Sequence, residues 1–413
     1  MRPKSLQSCP LSCLTCALLA LAARDARGAT EVIPEIRIAA EANDNPRLRA
    51  NDTPSELRPS AERLLAELRL GVTNYTERNE ARFDAALRTD AYADAADEDL
   101  ESTDLFLGAG GRWRWERSRL GIDADVAREK ITGTEFLSTE PGDDGGLEVD
   151  GLLLGLNETR TRGTVSPYTE IDFGERSRMR LDLRAMSVSY NDESPLDPRT
   201  DFTDWEAGAA YVRVLNPRDD LVTRVFGGRY EAEDRRNVTD TTGVELRFER
   251  ELSDIWAVTA AFGVERNEFA YFDAAGAFFS GTEDNGLFGV SLRKQTERSV
   301  LDFDVSRRAR PDSFGSVVIR NELAASLERE LSPKVTGGVV FRAIRSDALD
   351  VIPDNREYGR VELRVRWAFR PLWSLAAGLE HSYWRNVNVD ARANSDSVTV
   401  GFNYRGRSRR PQP

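Results

Sequence analysis

Hydrophobic and polar residues alternate along most of this chain. In RVELRVRWAFR, residues 360–370, Arg360, Glu362, Arg364 and Arg366 alternate with Val361, Leu363, Val365, Trp367 and Phe369. Successive side chains of a strand point to opposite faces, so this segment predicts a strand with one charged and one apolar side. The same period holds elsewhere. In residues 104–115, Leu105, Leu107, Ala109, Trp113 and Trp115 oppose Arg112 and Arg114; in residues 120–126, Leu120, Ile122 and Val126 oppose Asp123 and Asp125. Leu181 and Leu183 oppose Arg180, Asp182 and Arg184; Val244, Leu246 and Phe248 oppose Glu245, Arg247 and Glu249; Leu301, Phe303 and Val305 oppose Asp302 and Asp304. Around Tyr211 and Arg224 the pattern leaves the orientation open.

Between these segments, short polar connectors recur: ERNE, ERS, GERS, NPRD, LSD, TERS, SPK and PLWS, which read as hairpin turns. They alternate with longer acidic or Gly-rich stretches at 94–104, 130–159, 191–201, 271–285, 346–357 and 386–396. That rhythm predicts an all-β, antiparallel up-and-down transmembrane barrel of about 18 strands, with 16 as the alternative, its short turns in the periplasm and its loops outside. The opening strand is expected at 33–41 and the closing strand at 395–404. SAERLLAELRL, residues 60–70, also fits helical spacing, but the succession of hairpins requires a strand there.

The N-terminus changes the picture for one segment. Arg2 and Lys4 precede a 13-residue apolar stretch ending at Ala23, and small residues at Ala26 and Gly28 suit cleavage before Ala29. Residues 1–28 therefore read as a secretory signal peptide, 29–404 as the barrel and 405–413 as a periplasmic tail. Cys9, Cys13 and Cys16, the only cysteines of the sequence, lie inside that signal. Removing it takes away four basic residues and one acid, moving the net charge from −13 to −16. Such a balance excludes general nucleic-acid binding.

A soluble sandwich would also show alternation, so the aromatics must separate the two solvents. Trp113, Trp115, Trp256, Trp367, Phe369, Trp373, Phe402 and Tyr404 sit on or near the apolar face at turn-side ends, and Tyr383 ends the apolar face of its strand opposite Trp373. A membrane-interface girdle predicts that clustering, whereas a packed core places aromatics mid-strand. An arginine facing lipid at the midplane costs ~2–4 kcal/mol, so the charged faces must line a wet lumen. The expected surroundings are outer-membrane lipid and lipopolysaccharide.

The opening EIRIAAEANDNPRLRAND, with its Asn43, Asp44, Asn45 patch followed by repeated strand, ERS-type turn, strand units, resembles the type 2 family of outer-membrane β-barrel porins. That resemblance implies a pore associated with exopolysaccharide biosynthesis, with polysaccharide and a periplasmic or inner-membrane export apparatus as partners. It implies no catalytic residues. One departure is that RGRSRRPQP follows the aromatic end of SVTVGFNY.

Little other chemistry is available. His381 is the only histidine, and Ser382 points to the other face, so no nucleophile and base meet there. With one histidine and no mature cysteine, no metal and no cofactor is expected, and the acidic runs at 94–104 and 143–144 read as solvated loops. The candidates for solute contact are the lumen charges Arg112, Arg114, Asp123, Asp125, Arg180, Asp182, Arg184, Glu245, Arg247, Glu249, Asp302, Asp304, Arg320, Glu322, Arg360, Glu362, Arg364 and Arg366. Guanidinium groups suit carboxylate, sulfate or phosphate, but the same arginines can pair with neighbouring acids and merely solvate the wall. The expected function is a non-enzymatic pore that exports exopolysaccharide; the alternative is a general or substrate-selective diffusion porin. A barrel enzyme and an adhesive barrel are further classes.

Overall fold

The computed structural model describes residues 29–46, 48, 51, 60–93, 101–131, 158–191, 200–233, 237–272, 278–311, 317–348, 355–388 and 390–406. The expected signal peptide, the acidic pair Asp143 and Asp144, and residues 407–413 of the expected tail lie outside them. The described residues form β1 (Ala29–Asn43), β2 (Ala61–Tyr75), β3 (Asn79–Tyr92), β4 (Ser102–Arg114), β5 (Ser118–Ile131), β6 (Glu158–Gly174), β7 (Ser177–Tyr190), β8 (Phe202–Asn216) and β9 (Asp219–Ala232). They continue as β10 (Asn237–Ser253), β11 (Trp256–Phe272), β12 (Phe278–Gln295), β13 (Ser299–Pro311), β14 (Val317–Ser332), β15 (Val335–Ala348), β16 (Arg356–Arg370), β17 (Trp373–Asn386) and β18 (Ala391–Arg405). Each strand pairs antiparallel with the next and β1 pairs with β18, so the 18-stranded sheet closes on itself. Closure removes the free edges that hydrocarbon cannot hydrogen-bond.

The segment 60–70 is strand β2, as hairpin succession requires, because its backbone pairs with β1 along its whole length. Two orientations left open by the pattern are decided by neighbours. Tyr211 points outward and is 47% exposed, whereas the Arg224 side chain points inward and donates to Asp182 and Glu206. Several expected loops are shorter than the sequence suggested. The stretch expected at 271–285 is one of them: its residues 278–285 lie in β12, paired with residues 265–272 of β11. The acidic run likewise ends inside β4, where the nearly buried Asp104 accepts from Arg88 Nη2 at 2.5 Å and from the Lys130 amide at 2.9 Å.

The outer face is apolar. Leu64, Leu68, Val244, Leu246, Phe262, Val264, Leu363, Val365, Leu379, Val398 and Val400 are all exposed on it. From Trp373 up to His381 on β17, about 8 residue steps of ~3.3 Å tilted by ~40° give an apolar belt of roughly 20 Å. That is within one or two residue steps of the ~25 Å apolar band of an outer-membrane barrel, and the barrel is a protein of the outer membrane. Above the belt the outer surface turns polar: His381 Nδ1 lies 2.8 Å from Asp396, and Arg385 and Arg392 both reach Asp390. Those two hydrogen bonds hold the Asp390 carboxyl, in the β17–β18 loop, below the usual carboxylate range.

Candidate functional site: a charged lumen narrowed by an inturned arm

The inner faces of the strands enclose a cavity of about 2270 Å³. Among the described residues its lining includes 23 basic and 18 acidic side chains, a surplus of five positive charges. The whole sequence carries 57 basic and 70 acidic residues, so this cavity, which leaves out the inner-face Glu265, Glu322, Asp302 and Asp304, has the opposite balance to the chain.

The cavity brings together Arg112, Asp123, Asp125, Arg180, Asp182, Arg184, Glu245, Arg247, Glu249, Arg360, Glu362, Arg364 and Arg366 of the candidates. Many are paired. Arg82 reaches Asp123 at 2.9 Å, Arg162 reaches Asp125 at 3.9 Å and Arg224 reaches Asp182 at 2.7 Å. Arg247 sits between Glu245 and Glu249 at 3.4 and 3.5 Å, and Arg360 between Glu362 and Glu380 at 3.0 and 2.8 Å. Arg180 lies over the Tyr168 ring at 4.6 Å. That ring lies flat on Gly121, where a Cβ would come within 2.2 Å of it, so glycine permits the close approach. Arg184 approaches Asp204 at 3.9 Å.

The remaining candidates stand apart from the main cavity. Arg114 is exposed at the turn end of β4. Asp302 faces Arg293 at 3.7 Å on lower β13, two residues below Asp304. Arg320 is 4% exposed and shares Glu322 with Arg342, at 3.3 and 2.6 Å. Arg37, Arg112, Arg364 and Arg366 have no ion pair among the described residues, so their guanidinium groups are open to lumen water and solutes.

What narrows the lumen is a departure from the regular wall. Pairing of β12 with β13 stops at Phe288↔Arg307, although pairing of β12 with β11 continues to Phe278. Above Arg307, β13 leaves the wall and turns inward with the start of β14. The Ala309 amide donates to Glu265 Oε1 at 3.0 Å and Arg308 Nη2 to Glu245 Oε2 at 2.8 Å, which places this arm against the inner faces of β11 and β10. Val317 and Ile319 pack, with Ala309, into a buried cluster with Met186, Val188, Tyr190, Phe202, Tyr230 and Ala232 of β7, β8 and β9. On the arm, Arg310 lies near the guanidinium groups of Arg184, Arg308 and Arg320 and near the carboxylates of Asp204, Glu206 and Glu265. Arg310 lines the cavity and has no ion pair among the described residues.

A second inturned segment is the base of the β1–β2 loop. Leu48, at a φ of 45°, is buried with Ile344, Tyr358, Trp384 and Ala393 on the inner face of β15–β18. Neither Arg308, Arg310, Glu265 nor Leu48 stood out in the sequence. The run SRRARP, with Arg307, Arg308 and Arg310 before Pro311, was the local signal available for the arm.

On the outside, the aromatics form a stack at the turn-side end. Trp367–Phe369, Phe369–Phe402, Trp373–Phe402 and Trp373–Tyr404 have ring centroids 5.8, 5.8, 4.9 and 4.7 Å apart. Trp256 carries Lys294 over its ring at 4.8 Å, Trp113 lies over Gly111, and Trp115 is 54% exposed. Tyr383 lies towards the opposite end of β17.

Fold and lumen together define an outer-membrane β-barrel with a charged aqueous interior. No protein-family model matches the chain, and no curated protein matches it. Among solved structures, it is similar to Pseudomonas aeruginosa OccK2 (OpdF) in complex with glucuronate: 14% identity, TM-score 0.46, covering 92% of this chain and 98% of that one. Acinetobacter baumannii OccAB2 shows 11% identity and a TM-score of 0.45 over 92% of this chain and 98% of that one. A bacterial polysaccharide outer membrane secretin shows 12% identity and a TM-score of 0.34 over 91% and 98%. None of these likenesses transfers a solute or a residue role to this chain.

Proposed function

We propose that the protein is a non-enzymatic, substrate-selective diffusion pore for small anionic solutes. The observation that supports this reading is the surplus of five positive charges lining the cavity of an acidic chain, with Arg310 lacking an ion pair on the arm that narrows the lumen. A guanidinium partnered by water in the free channel can exchange that water for a carboxylate, sulfate or phosphate at little cost. Paired arginines such as Arg360 have already made that exchange with the wall. The paired candidates therefore solvate the lumen, and Arg310, Arg364, Arg366, Arg112 and Arg37 are the contacts for solute. Exopolysaccharide export, implied by the family resemblance, is favoured less, because the arm and Leu48 occupy space that a polymer chain would need.

Reversal potentials across a planar bilayer with a KCl gradient test the proposal. The wild-type pore is expected to favour chloride. Arg310→Glu is expected to shift the anion-to-cation permeability ratio by about 10-fold, a change of ~1.4 kcal/mol in the barrier for a unit charge. Arg310→Lys is expected to retain most of the preference. A cation-selective wild-type pore would overturn the reading.

A further inference from the structure

The arm that narrows the lumen has a vacant place in the wall. Ten residues of β12, from Phe278 to Leu287, remain paired with β11 while β13 has departed from their other side. This stretch lies above the apolar belt, where Arg266 and Asp284 pair in the open, and its unpaired edge backbone is a template on which a strand can add.

Resting on the pore reading above, we propose that the described arm residues Arg308–Pro311, carrying with them Val317–Arg320 of β14 to which they are paired, are a gate that leaves the lumen when Arg308–Pro311 re-pair with β12. The register needed is the one already running. Continuing from Phe288↔Arg307, Leu287 meets Arg308, Gly286 meets Ala309 and Asn285 meets Arg310. The faces agree as well: Arg308 and Arg310 stay on the lumen side opposite Leu287 and Asn285, and Ala309 turns outward opposite Gly286. A Cβ at Gly286 would meet nothing within 4 Å, so the outward position across from Ala309 is open.

The present docking surface suits reversible attachment. Towards β10 and β11 the arm is held by one ion pair and one backbone hydrogen bond, to Glu245 and Glu265. The flanking Asn285 amide nitrogen is buried without a partner, so the inturned state leaves a polar group unsatisfied. The apolar attachment is made by Ala309, Val317 and Ile319, with Val318 also buried. Both states bury hydrogen-bonded backbone, which is the condition for two arrangements of similar free energy. In the re-paired state the lumen loses its obstruction and Arg310 moves to the wall.

The test uses the full barrel with Gly286→Cys and Ala309→Cys, the sequence having no other cysteine beyond Cys16. Gly286 faces outward and Ala309 lies inside, in front of Glu265, so a disulfide between them forms only if the arm re-pairs. Under mild oxidation, non-reducing mass spectrometry of the digested protein is expected to show the crosslinked peptides. Single-channel conductance is expected to rise at least about twofold and to return on reduction, because conductance follows the free cross-section of an 18-stranded barrel. No crosslink, or a crosslink that leaves conductance unchanged, overturns the gate. Chloride selectivity of the reduced protein reads the pore proposal separately, so the two can fail independently.

Discussion

The seam between β1 and β18 and the seam between β12 and β13 are both short, with nine and eight residue pairs, yet they end differently. At the first, the chain beyond β1 continues the closure. The Asp44 amide donates to the Asp396 carbonyl at 3.1 Å, the Asp396 amide to Asp44 Oδ1 at 2.7 Å, Asn45 Nδ2 to the Asn394 carbonyl at 2.8 Å, and the Asn51 amide to the Arg392 carbonyl at 2.6 Å. At the second, the ladder ends at Phe288↔Arg307 and β13 turns into the lumen. Short Asp and Asn side chains can bond backbone groups where a strand ends, and so stitch an edge without a second strand. Arg308 finds an acid, Glu245, inside the lumen.

The comparison makes separable predictions. The largest effect is expected from Ile319→Asp, which places a carboxylate in the cluster of Met186, Val188, Phe202 and Tyr230. Burying it there costs several kcal/mol or more, so the arm is released into water and conductance rises, while the heat-modifiable gel shift of the folded barrel is unchanged. Loss of the folded band instead would show that the arm holds the wall together.

Leu48→Ala is expected to act oppositely. It empties a buried position at the stitched seam and lowers the stability of the folded barrel by about 2–5 kcal/mol, with little change in ion selectivity. Urea titration followed by tryptophan fluorescence measures the loss. The smallest effect is expected from Asn45→Ala, about 1 kcal/mol for the lost bond to Asn394. Faster hydrogen exchange at Asn394 and Asp396, with none at Phe288, would locate the damage at the stitched seam.

Much of this barrel was legible in the chain because a strand's side-chain period is two and a barrel has two different solvents. Val361, Leu363, Val365 and Trp367 had to face lipid once Arg360, Glu362, Arg364 and Arg366 faced water. Trp373, Phe402 and Tyr404 stack at the turn end because PLWS and the last strand bring them there. The Asn43, Asp44, Asn45 patch was visible, but its task was not: its partners Asn394 and Asp396 are about 350 residues away in sequence. Charge pairing was legible only as a possibility, since Arg224 reaches both Asp182 and Glu206 through side-chain geometry that no spacing specifies.

Alternation, turn chemistry and charge by themselves determined the closed up-and-down barrel, which face meets lipid and which residues meet water, because those properties are local and repeat in every strand. Tertiary structure alone decided that β13 abandons β12 above Arg307, that Arg310 is left without an ion pair in the narrowed lumen, and that Arg360 is neutralised by Glu362 and Glu380. The physical reason is that a strand carries the same period-two pattern whether it lies in the wall or inside it. Where it goes depends on the hydrogen-bond and packing partners that other strands present across the barrel.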